Sequence, residues 1–168
     1  MSITIEQGNR DDAFAVRRAV FMEEQGYENE FEPLDDVPEC IHVTAYVDGE
    51  LAGCARTFPE PLEHAFAPDA PHAPASALDA NVTPQEIYLL GRVAVMPAFR
   101  RQGLASMLAR EAARLAAAAG ARVMKLHGQE YVQGMYAKLG YDPIAPVDYE
   151  DEGQPHVWMA KRLDGASE

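Results

Sequence analysis

The sequence predicts a mixed α/β domain, one sheet with helices on its faces. Three observations carry this. Short alternating or apolar runs of β-formers recur along the chain, and two segments repeat their apolar residues at helical spacing. Asp48-Gly49 then stands between two β-type runs as a hairpin turn. At 168 residues the chain has the length of one domain with room for a core.

Ile3 and Ile5 begin a short strand. Asn9 is suited to cap a helix from Arg10 to about Gln25, with Ala13, Val16 and Val20 on one face and Phe14 and Phe21 beside them. Residues 27–38 are acidic and contain prolines, which reads as a loop. Ile41–Val47 alternates, the turn follows, and Leu51–Phe58 returns as the next strand. Residues 59–84 hold six of the twelve prolines and many alanines. That excludes a regular strand or a single helix and predicts a loop insertion at the surface.

Ile87–Val95 is an apolar strand stopped by Met96-Pro97. A loop over Phe99–Gly103 leads into a helix to about Ala119 that buries Leu104, Met107, Leu108, Ala112 and Leu115, with Gly120 closing it. Arg122–Leu126 is a strand and Gln129–Leu139 a helix ended by Gly140. Residues 148–153 read as a solvated acidic turn without calcium-loop spacing. His156–Lys161 is the last strand. The domain is expected over residues 1–163, with 164–168 a flexible tail.

Acidic residues number 27 against 14 lysines and arginines, a net charge of −13. Nucleic acid and anionic membrane would both be repelled, so neither is expected as a partner. Only Lys125, Lys138 and Lys161 are lysines. Acid excess with scarce lysine suits either a high-salt cytoplasm or an arginine-coding genome. Cys40 and Cys54 offer no metal spacing and are expected to be reduced core residues of a cytoplasmic protein without a bound metal. The sequence leaves oligomeric state open, a homodimer included.

The 24 residues from Ile87 to Arg110 contain no acid and four arginines, Arg92, Arg100, Arg101 and Arg110. A buried strand and helix account for the missing acids but not for adjacent Arg100 and Arg101, which point to a small anionic ligand. The stretch is a strand, an arginine-glycine loop and a helix start, where free amides and the helix dipole favour an anion. It is neither a Walker loop nor a dinucleotide fingerprint.

Arg100-x-x-Gly103-x-Ala105 resembles the pyrophosphate loop of the GNAT acetyltransferases. Tyr136-Ala137-Lys138-Leu139-Gly140-Tyr141, with Gln129 seven residues before Tyr136, resembles the family's second block. Residues 17–25, Leu34-Asp35-Asp36, Gly91–Val95 and Pro155–Met159 further resemble the ElaA/YjcF-like subgroup, which leaves residues 59–84 as the departure. The resemblance implies the acyl-CoA N-acyltransferase fold, a mostly antiparallel twisted sheet flanked by helices.

It also implies direct transfer of an acetyl group from acetyl-CoA to a primary amine of a small molecule, within a ternary complex. Val93, Ala94 and Val95 would face the pantetheine arm. The stretch Arg100, Arg101, Gln102, Gly103, Leu104, Ala105 and Ser106 would hold the pyrophosphate, with Gln129 nearby. Tyr136 would protonate the departing thiolate. An amine of pKa ~10 needs a base at neutral pH, and Glu24, His127, His156 and the Glu150-Asp151-Glu152 cluster are the candidates. The alternative is a CoA-binding sensor or interaction module without turnover.

Overall fold

In the computed structural model, residues 1–28, 30–151 and 153–163 are described. Along the chain lie β1 (Ile3–Gln7), α1 (Arg10–Arg17), β2 (Ile41–Val47), β3 (Glu50–Pro59), α2 (Pro61–Phe66) and β4 (Ile87–Val95). They are followed by α3 (Leu104–Ala118), β5 (Val123–Gln129), α4 (Gln133–Lys138), β6 (Asp142–Pro143), β7 (Asp148–Asp151) and β8 (Gln154–Arg162). The β2–β3 hairpin forms because Asp48 and Gly49 both accept positive φ, 50° and 85°, as a tight two-residue turn requires. The strands make one sheet in the order β1-β2-β3-β4-β5-β8-β6, with β7 on β8. Among the described residues only β4 and β5 pair in parallel, and the other pairings are antiparallel.

Helix α3 covers one face of the sheet, where Leu108, Ala109, Ala112 and Ala116 pack on Val43, Ala45, Leu90, Met124 and Leu126. Gly53 permits this close approach, since a Cβ there would lie 2.8 Å from the Ala94 carbonyl oxygen and 2.9 Å from Leu108 Cδ1. On the opposite face Ala13, Val16 and Val20 of the first helix pack against Cys54 and Ala94. Phe58, Leu89 and Trp158 form a further cluster with Leu34 there.

Several elements differ from the sequence expectation. The first helix widens into a π-helical stretch at Arg18–Glu24, where the Gln25 amide reaches back to the Val20 carbonyl. Residues 59–84 are not one loop. They contain α2 and 3₁₀ turns at Ala77–Asp79 and Pro84–Glu86, each opened by a capping residue or a proline. This segment is docked: Leu62 and Ala73 pack on the Phe58–Trp158 cluster, and Lys125 reaches from the sheet to Asp79 and the Pro74 carbonyl at 2.8 Å each.

β5 runs on to Gln129, so Gln129 ends a strand and does not open a helix; a 3₁₀ turn at Glu130–Val132 intervenes before α4. Residues 148–151 are strand β7 and not a solvated turn. On α3 the buried stripe leans toward alanines, leaving Met107 and Leu115 half-buried. The expected tail at 164–168 lies outside the described residues.

Candidate acyl-transfer site

The parallel pairing of β4 and β5 stops at Leu90 and Leu126. At that point β4 carries an irregularity: Cys54 faces Ala94 but Arg56 faces Gly91, so Arg92 and Val93 share one β3 partner and Arg92 sits at φ 50°. A bulge re-aims its strand. Beyond it the two strands part, and a cavity of about 270 Å³ opens between Gly91–Val93 on one side and His127–Gln129 on the other. Phe21, Gln25 and Tyr27 close it from the first helix, and Met135 and Tyr136 from α4.

Tyr136 is buried, its ring edge-on to Tyr141 at 5.8 Å, and its hydroxyl has no hydrogen-bond partner among the described residues. Burial pushes its phenol above the ordinary tyrosine range, so it stays protonated and able to donate. A Cβ on Gly128 would stand 3.4 Å from the Tyr136 ring, so the glycine lets that ring lie against β5. His127 Nε2 lies 3.0 and 3.1 Å from the two carboxylate oxygens of Asp148. Gln129 donates to the Tyr27 hydroxyl at 3.4 Å. His156 lines the same space, as does Asp151; Glu152 lies outside the described residues, and Glu150 is not part of the lining.

Of the residues expected to meet the acyl donor, Val93, Ala105 and Gln129 line the cavity. Ala94 is buried against the first helix, and the Val95 carbonyl accepts from Arg100 Nε at 2.9 Å. Leu104 is buried beside Val47 and Ala52, leaving only its backbone for a ligand. Arg101, Gln102 and Gly103 are exposed and Ser106 half-buried at the head of α3. Gly103 precedes this helix at φ 80° with no side-chain cap, so the first-turn amides have no partner within the helix.

The acid-free stretch is acid-free in sequence only. Arg92 lies 2.6 Å from Glu30, and Arg100 grips Glu24 with both terminal nitrogens at 2.8 and 2.6 Å. The Arg100 guanidinium lowers the Glu24 carboxyl below its ordinary value, which weakens it as a base, and Glu24 does not line the cavity. Arg101 and Arg110 form no ion pair among the described residues.

Sequence reasoning missed a buried charge cluster that floors this site. Arg17 binds Glu30 at 2.9 Å and Asp35 at 2.7 and 3.1 Å; Arg56 binds Asp35 and Glu32 at 2.8 Å each; Arg92 joins through Glu30 and Glu32. Although burial opposes ionisation, the two guanidinium groups and a backbone amide hold the Asp35 carboxyl well below the usual carboxylate range. The available signal was Arg17 itself, four residues after Ala13 and three before Val20, a charge on the apolar stripe of the first helix. Asp35, Cys40 and His42 bring ligand-type atoms within 4.8 Å of one another, but two guanidinium groups on Asp35 oppose a cation there. Burial pushes the Cys40 and Cys54 thiols up to about 11 and about 12, as inert core thiols require.

A mostly antiparallel sheet, parted at the parallel β4–β5 pair around a cavity with a helix N-terminus at the end of the parting strand, is the acyl-CoA N-acyltransferase fold. Residues 8–141 match the Acetyltransferase (GNAT) family, and the chain belongs to it. A protein of Bacillus subtilis (strain 168), provisionally named an acetyltransferase, is 31% identical over 167 residues, covering 98% of this chain and 96% of the relative. Escherichia coli ElaA has the same fold, with a TM-score of 0.71 at 20% identity over 95% of this chain and 99% of the other. An aminoglycoside 6'-N-acetyltransferase complexed with coenzyme A shares the fold at a TM-score of 0.66 and 15% identity, over 98% of this chain and 99% of the other. Among the described residues no helix is long and apolar enough to cross a membrane.

Proposed function

We propose that the protein moves the acetyl group of acetyl-CoA to the primary amine of a small molecule by direct attack in a ternary complex. The observation that carries this reading is that Tyr136, whose hydroxyl has no partner among the described residues, and His127 both line the space between the parted strands. Gly103 supports the donor side: at φ 80°, with nothing within 4 Å of a would-be Cβ, it leaves the first turn of α3 open to a phosphate. Val93 at the bulge would border the pantetheine arm, and Arg101 has no ion pair among the described residues to give up before meeting an anion.

Among the lining charges Arg92 and Glu30 pair with each other, which leaves the acids Glu28 and Asp151 with no lining lysine or arginine to offset them. That balance favours a cationic amine. His127 would take a proton from the ammonium, and the freed nitrogen would form its bond to the thioester carbonyl carbon. The carbon–sulfur bond then breaks while Tyr136 hands a proton to the sulfur and is refilled from the amine nitrogen. One amide and one thiol form, and one proton leaves to solvent.

Incubation of the protein and acetyl-CoA with a panel of small amines and peptides tests the reading, with free thiol as the readout. Release of CoA stoichiometric with acetylation of a small amine is expected. Tight CoA binding with no turnover across the panel would make the protein a sensor.

A further inference from the structure

We propose that Asp148 is the positioning residue for His127, fixing the tautomer that leaves Nδ1 as the basic nitrogen. The proposal rests on the acetyl-transfer reading above. Strand β7, which the sequence does not announce, exists in register with β8 so that Asp148 stands across from His156 and beside His127. Both Asp148 oxygens lie within 3.1 Å of His127 Nε2, and a carboxylate can only accept, so Nε2 carries the proton. The imidazole cannot turn away. It stacks on Trp158 at 4.4 Å and 17° and meets the His156 ring at 4.8 Å and 33°. Nδ1 makes no hydrogen bond with any described residue, and the ring lines the cavity.

The surroundings separate the two histidines. His156 engages the Gln154 carbonyl through Nδ1 at 2.9 Å and approaches Asp151 with Nε2 at 3.8 Å, so Asp148 is His127's own partner. The other titratable or charged groups lining the space are Tyr136 on α4, Tyr131 just before it, Tyr27, Glu28 and Glu30 before β2, and Arg92 on β4. When Nδ1 accepts the ammonium proton, the imidazolium is matched by the Asp148 charge, the arrangement by which a buried carboxylate orients a histidine base.

The tests are Asp148→Asn, Asp148→Glu and His127→Gln, read by kcat against pH, KM for acetyl-CoA and nitrogen NMR of the imidazoles. Asp148→Asn should lower kcat about 10²-fold or more with KM for acetyl-CoA unchanged. Asp148→Glu should recover part of the loss. In the wild-type protein NMR should find His127 protonated on Nε2, a readout that requires neither turnover nor a stable variant. Protonation on Nδ1, or wild-type kcat and profile in Asp148→Asn, would overturn the proposal. Loss of turnover in His127→Gln with none in Asp148→Asn would sink this positioning role alone. Normal turnover in His127→Gln would instead sink the reading of His127 as the base.

Discussion

Removing one oxygen atom from Tyr136 separates its chemistry from its packing. The hydroxyl has no partner to lose among the described residues, while the ring packs on Gly128 and Tyr141. Tyr136→Phe should therefore keep its melting temperature and its affinity for acetyl-CoA while kcat falls ~10²-fold or more, within the range of a positioned acid. An unchanged kcat in the folded variant would leave Tyr136 a packing residue. Single residues are legible where chemistry leaves a local mark: Tyr136 and His127, which the sequence put forward as candidate acid and base, both line the cavity. Glu24 was not, because its partner Arg100 lies 76 residues away and only the fold brings them together. The same distance rule hid Glu30 from Arg92. A window without acids says nothing about acids that fold back onto it.

Elements were legible where patterning is strong and solitary. The hairpin, β4 and the span of α3 follow from turn chemistry and apolar repeats, and they appear with nearly the expected bounds. β7 escaped because its Asp148-Tyr149-Glu150-Asp151 sequence has no apolar period; its pairing with β8 supplies the order. β5 ran past its expected end for a related reason, since His127, Gly128 and Gln129 are weak β-formers held by Trp158, Val157 and His156 across the ladder. At this scale the head of α3 gives a prediction. Gly103→Val puts a branched side chain at φ 80° and into the open approach to the helix amides. We expect a destabilisation of about 1–3 kcal/mol and loss of CoA binding by calorimetry. Wild-type CoA affinity would place the phosphate elsewhere.

For the molecule as a whole, the fold class followed from element order, and the family match extends over residues 8–141. A ligand that bridges β4 and the head of α3 stabilises only the folded state. Acetyl-CoA at 100 times its dissociation constant should add about 2.7 kcal/mol and raise the melting temperature, while NADH should leave it unchanged. No shift at millimolar acetyl-CoA or CoA would count against the whole assignment. The charge cluster of Arg17, Arg56, Arg92, Glu30, Glu32 and Asp35 bears on how such a molecule can change through descent. Its three cations and three anions cancel, and losing any one buried partner strands a charge at a cost of about 3–5 kcal/mol, much of a typical domain's stability. Arg17, Arg56, Glu30 and Asp35, the buried four, therefore tolerate change only in matched pairs, whereas exposed Tyr131 at the cavity mouth can change alone without stranding a charge.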